Sequence, residues 1–541
     1  MIRLWVLLFA VILLSLPEAL AQSTASADWA IPQPIQQPPA PAPRESTAPI
    51  PSDQWVRMVS PHFHIVTDAG EMQGRALALY LEQMRSVFGL LLMQGQPPQG
   101  AAVQVLAFAT HSKLNDFGLL MDRDKPTGAL VLDAGDIFRL DSAADPDADQ
   151  RPPKLKVGEV YLHDGDEDFA LVNLASPKPW RTVLHSYAHQ LQEANLPPTP
   201  RWFTEGVAEY FSVIRIEKEP PQKDRQGKLL PPTYHALLGL APNPSSGQPF
   251  SILELFDADK VIAESEAKVN SKLYTAAWRV VEFLISAHKL QEAQNCFALV
   301  RQNVPPAEAI QRAFGVSSAE LEKQMMTYFA ARPRPTLAVM AETEISVFPS
   351  ESLARQALYG EVHMHEPGYH RTGSKELDGV LKADPDNPVA HRSLALDDMR
   401  RHDVAAALQH LAIAQAKDPG DWMPHYYRAL IIRQKNDASL AQQLEAEARA
   451  IVRLNPAFAE GYAMLGSALG MQARNAEGAA AYEQALRLHP ASELYAVNLA
   501  MFYCATDRCA QAKPIFAGLQ NSKDLRIATT AQGYLQGLGG K

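Results

Sequence analysis

His185 and His189 stand four residues apart, and Glu205 follows in a Trp-Phe-Thr-Glu-Gly run. Residues at that spacing share a helix face, so the two imidazoles are placed to grip one metal ion. A carboxylate from a second helix, Glu205, would be a third ligand and leave a fourth position for water, as hydrolytic zinc requires. Glu209, one turn beyond Glu205, is placed to hydrogen-bond a ligand histidine. The His-Glu-x-x-His form of such a site carries its general base directly after the first histidine. Here that position holds Ser186. A hydroxyl is a poor base near neutral pH, and loss of a general base costs about 10²–10⁴-fold in rate. Glu193, four residues past His189, is an alternative proton carrier.

These residues need two helices and a tight connection. Thr182 to Ala194 reads as the first helix, and Asn195-Leu-Pro-Pro-Thr-Pro200 ends it because proline cannot continue a helix. Trp202 to Ile216 reads as the second. Upstream, residues 55–175 alternate strand and helix patterns: Val59–Thr67, a long helix over Gly70–Leu92, then Val103–Ala109 and further short strands. His62 and His64 fall on one strand face, where surface histidines need no metal. Asp164, Asp166 and Asp168 alternate as in calcium loops but lack the later Glu ligand, which makes an acidic turn the better reading. A Pro/Gly-rich excursion over 219–250 and more helices follow, until Arg332-Pro-Arg-Pro335 marks a break.

The C-terminal part repeats. Pro385, Pro419, Pro456 and Pro490 are 34, 37 and 34 residues apart, the period of tetratricopeptide (TPR) helix pairs. Tyr462, Leu465, Gly466, Tyr482 and Ala485 occupy consensus positions within it. The 37-residue spacing places three extra residues near Lys435–Ser439, and 354–385 reads as a degenerate further repeat. Such pairs stack into a solenoid with a concave face suited to a protein or peptide. Cys504 and Cys509 fall at the turn of the last repeat, where a disulfide is geometrically accessible; a free pair is the alternative. Cys296 reads as a buried thiol.

The net charge of −10 and the absence of a Lys/Arg block argue against nucleic acid as a partner. Arg3, the apolar run Leu4–Leu16 and Ala19-Leu-Ala21 form a secretory signal pattern with cleavage after Ala21. No second long apolar run follows, so no membrane span is expected after cleavage. The expected location is periplasmic or secreted. Residues 22–53, rich in Pro, Gln and Ala, read as a linker.

The motifs together resemble the gluzincin-like peptidase MA group, in particular the bacterial DUF1570 type often joined to TPR repeats. The resemblance rests on Trp55…Ser60-Pro-His-Phe63…Thr67-Asp68, His185-Ser-Tyr-Ala-His189, Pro200-Arg-Trp-Phe-Thr-Glu205-Gly-Val-Ala-Glu209-Tyr210-Phe and Tyr274-Thr-Ala-Ala-Trp278. It implies an α+β metallopeptidase-like domain over 54–335, then an all-α TPR solenoid over 350–541. It also implies zinc held by His185, His189 and Glu205, with Ser186 where that group keeps its catalytic glutamate. Zinc retained and zinc lost both stay open. The expected function is a catalytically degenerate, exported zinc-metallopeptidase-like protein with a protein-binding scaffold. The alternatives are an active peptidase with another base and a metal-free structural envelope protein.

Overall fold

The computed structural model describes residues 55–117, 130–132, 160–164, 167–176, 180–220, 222–226, 228–230, 232–240, 251–257, 271–331, 335–340, 342–366, 369–435 and 437–539. The signal pattern and the linker lie outside these residues, as does Asp166 of the acidic turn. Among the described residues no helix is long and apolar enough to cross a membrane.

The first half is built on β1 (Val56–Val59), β2 (Phe63–Thr67), α1 (Gly70–Leu92), β3 (Val103–Phe108), α2 (His111–Phe117), β4 (Leu130–Leu132), β5 (Val160–Asp164) and β6 (Asp168–Asn173). Phe63, Ile65, Val103, Val105, Ala170 and Val172 point to one side of the sheet, and Val66, Leu106, Phe108, Phe169 and Leu171 to the other. This two-residue alternation with both faces apolar demands cover on both sides. On the first face lie α1, through Leu77, Leu81, Val87 and Phe88, and α3 (Arg181–Asn195), through Val183, Leu184, Tyr187 and Leu191.

Beyond α3 come α4 (Arg201–Val213), β7 (Arg215–Lys218), β8 (Tyr234–Leu237), α5 (Ser271–Ser286), α6 (Leu290–Arg301), α7 (Pro306–Phe314), α8 (Ser318–Ala330), β9 (Thr336–Val339) and β10 (Ser346–Pro349). The expected helix Trp202–Ile216 stops at Val213, because Arg215–Lys218 pairs with Tyr234–Leu237 inside the Pro/Gly-rich excursion. The strand β10 pairs with β1, giving a seven-stranded sheet of order β10-β1-β2-β3-β6-β5-β4, and β9 completes a second sheet of order β7-β8-β9.

The C-terminal half comprises α9 (Ser352–His365), α10 (His370–Ala383), α11 (Pro388–Arg400), α12 (Val404–Lys417), α13 (Met423–Lys435), α14 (Ala441–Leu454), α15 (Ala459–Met471), α16 (Asn475–Leu488), α17 (Glu493–Ala505), α18 (Cys509–Leu519) and α19 (Leu525–Gly539). Consecutive helices pack pairwise into a solenoid. The extra residues of the 37-residue spacing form a short 3₁₀ turn, Ala438–Leu440, between α13 and α14. Gly466 is glycine because a Cβ there would stand 2.6 Å from the Tyr482 ring. Cys504 and Cys509 are bonded to each other, with Cα atoms 4.2 Å apart. Cys296 is a buried free thiol whose pKa burial pushes up to about 12.

The boundaries read at 335 and 350 do not part the chain. Residues 336–349 supply β9 and β10, and Val362 of α9 joins the core on the second face of the sheet with Phe108, Phe117 and Phe169. His363 is fixed there too, through Nδ1 to Glu376 (2.7 Å) and Nε2 to the Phe117 carbonyl (3.0 Å). Arg392 of α11 is buried against Glu361 and Asp421, and reaches Glu167 beside β6 at 3.6 Å. The first solenoid helices are thus also a layer of the sheet core, and residues 390–400 of α11 are buried on every side.

Candidate metal centre

The connection between α3 and α4 sets the site. Leu196 closes α3 in extended conformation, and Pro200 (φ −59°, ψ 144°) leads directly into α4. The antiparallel return is bolted by Gln192, whose Nε2 donates to the Thr204 carbonyl at 3.0 Å. Trp202 anchors α4 in an aromatic cluster with Phe203, Phe256 and Phe297. Gly206 lets α4 approach α5 closely: a Cβ there would lie 2.7 Å from the Ala277 carbonyl oxygen.

This scaffold brings three donor atoms together. His185 Nε2 and His189 Nε2 are 3.3 Å apart. Glu205 Oε2 lies 3.5 Å from the first and 3.4 Å from the second. A tetrahedral zinc with bonds of about 2.0–2.1 Å separates its ligand atoms by roughly 3.3–3.4 Å, so the triangle matches one face of that tetrahedron. Among the described residues this is the one group of His, Cys, Asp and Glu compact enough to hold a metal. All three residues are half-buried, and His189 is the most open of them. Burial would raise the Glu205 pKa, but hydrogen bonds from His185 and His189, and their charge, outweigh it and hold the carboxyl far below the usual range.

Three residues expected with the site lie outside the donor triangle. Glu209 Oε1 stands 3.8 Å from His185 Nδ1, beyond hydrogen-bond length, and its other oxygen is held by Arg181 at 3.3 Å. Ser186 is 1% exposed, and among the described residues its Oγ has no hydrogen-bond partner. Glu193 reaches away to the solenoid, where its Oε1 lies 3.4 Å from His489 Nε2. Of the residues that sequence reasoning missed, Arg181 was within reach, being four residues before His185 on the same face. Gln192 and His489 carried no local signal, because their partners are fixed by how the helices pack.

No family model matches the chain, and no curated protein matches it at a significant level. Similar solved structures are MamA from Desulfovibrio magneticus RS-1 and the TPR protein TTC0263 from the thermophile Thermus thermophilus. The first is 19% identical with a TM-score of 0.28, over 32% of this chain and 98% of that one. The second is 20% identical with a TM-score of 0.26, over 34% of this chain and 100% of that one. At these scores the likeness carries no argument about function, and the solenoid stands on the pairing of α9 to α19 itself.

Proposed function

We propose that this is an exported zinc-site protein of metallopeptidase-like make that has lost its general base, joined to a TPR-type solenoid that holds a protein partner. The observation that carries the reading is the 3.3–3.5 Å triangle of His185, His189 and Glu205. His185 and His189 present Nε2 from one face of α3, and Glu205 meets them from α4. When bound, a zinc ion would supply Lewis acidity to whatever oxygen takes the open position. Among the described residues, none of the groups expected beside the triad is placed to take the proton. Ser186 is buried with a hydroxyl that has no partner among the described residues, the Glu209 carboxylate is paired with Arg181, and Glu193 is turned to His489. Binding without efficient turnover is therefore the reading, and the location follows the N-terminal signal pattern.

The test is peptide cleavage by the zinc-loaded full chain, wild type beside Ser186→Glu, with zinc content measured on both. The expected outcome is negligible cleavage by wild type and a gain of at least about tenfold in the variant, toward the range a general base provides. Robust cleavage by wild type, abolished in His185→Ala, would replace this reading with an active peptidase using another base.

A further inference from the structure

The ligands of the triad sit on one helical hairpin, α3–α4, and a later turn of the solenoid touches that hairpin. Glu193 lies one turn beyond His189 on the same face of α3, and its carboxylate meets His489, which caps α16. A second thread reaches the α3–α4 connection. Arg301, the last residue of α6, donates to the Pro198 carbonyl, midway between His189 and Glu205. The Arg301 guanidinium also lies in the field of Glu493, the first residue of α17. The α16–α17 corner is therefore tied to the hairpin beyond His189, directly through His489 on Glu193 and indirectly through the charge of Glu493 on the Arg301 that holds Pro198. The start of the solenoid is fixed through α9 in the sheet core. A brace held at these two points converts a change in solenoid curvature into a displacement at the hairpin.

Building on the metal-site reading above, we propose that the α16–α17 corner is a positioning element for the metal triad. His489 and Glu493 would hold α3 and the Pro-rich connection in the ligand-competent geometry, so that zinc occupancy and solenoid conformation are thermodynamically linked. Linkage is reciprocal: zinc on the triad stiffens the corner, and a protein partner that bends the solenoid loosens zinc. His489 and Glu493 touch no reacting group, so their part is positioning alone.

The experiment is a competition titration of zinc against a chromophoric chelator on the full chain. Wild type, His489→Ala, His489→Gln and the double variant His489→Ala/Glu493→Ala are compared. The Co²⁺ absorption spectrum of each reports the ligand field, and hydrogen exchange over residues 485–496 is followed with and without zinc. Half-exposed pairs of this kind couple weakly. The expected loss of affinity is about threefold to fivefold for His489→Ala and larger for the double variant. Recovery is expected in His489→Gln, whose amide still donates to Glu193. The Co²⁺ bands should shift in His489→Ala, and exchange at the corner should slow when zinc binds. One zinc in wild type with unchanged affinity, spectrum and corner exchange in all variants overturns the brace and leaves the metal site standing. No zinc uptake by wild type overturns both.

Discussion

Gly206 offers a test in which two opposing effects can be weighed. Replacing an interior helical glycine by alanine favours the helix by about 1 kcal/mol. At this position, however, the new methyl would lie 2.7 Å from the Ala277 oxygen, 2.8 Å from its carbonyl carbon and 2.9 Å from Val281 Cγ2. Ordinary contacts between carbons need roughly 0.6–1.2 Å more. Two of the three atoms are backbone of α5 and cannot rotate away, so α4 must move. Overpacking costs about 1–3 kcal/mol, and a clash with backbone belongs in the upper part of that range. The net effect of Gly206→Ala is a loss of about 1–2 kcal/mol. For a cooperative unit of several hundred residues that lowers Tm by roughly 1–2 °C, within reach of scanning calorimetry. The same movement displaces the neighbouring Glu205, so zinc affinity should fall by about 10–100-fold, the usual effect of disturbing a ligand's support. Val281→Ala added to Gly206→Ala relieves one contact of three and should rescue little. A higher Tm with unchanged zinc affinity would show that helix propensity dominates and that α4 and α5 are not in close contact.

Ser186→Ala removes a buried hydroxyl with no partner among the described residues, so Tm should be unchanged or slightly higher, by up to about 1 kcal/mol of stability. Arg392→Ala leaves Glu361 and Asp421 without their buried counter-charge and should destabilise by about 3–5 kcal/mol, read as a lower urea midpoint. Glu366 is buried, and its pKa is raised to about 7. Below the ordinary value of 4.5, which the unfolded chain keeps, both states are protonated and no penalty exists. Between about 4.5 and 7 the unfolded chain releases its proton while the folded state keeps its own, so stability is lost across that window and the loss is complete above about 7. Glu366→Gln should therefore gain up to about 3 kcal/mol over wild type above about pH 7, an advantage that vanishes below about pH 4.5 in melts taken across that range.

Local spacing carried much of the picture, and pairing between distant segments carried the rest. The i, i+4 interval puts His185 and His189 on one face, and three prolines end α3 where Glu205 needs the chain to turn back. The 34-residue recurrence marks α11 to α18 as helix pairs, because each pair repeats the same packing requirement. By contrast, Arg332-Pro-Arg-Pro335 breaks a helix but says nothing about where the chain goes next. That Ser346–Pro349 returns to Val56–Val59, and that Val362 covers a sheet face, are facts of tertiary assembly. Arg215 and Ile216 read as the end of α4 until Tyr234–Leu237 offers Arg215–Lys218 a strand partner. Glu193 shares a face with His189 and reads as a site residue, but His489, almost 300 residues away in sequence, takes its carboxylate.

The most direct measurement of the central claim is the metal content of the protein purified from the exported fraction without added metal, by elemental analysis, beside His185→Ala and Glu205→Gln. Zinc at about one per chain in wild type, and at a small fraction of that in both variants, is the predicted result. Absence of zinc from wild type, or zinc that persists in both variants, would contradict the assignment of His185, His189 and Glu205 as a metal centre.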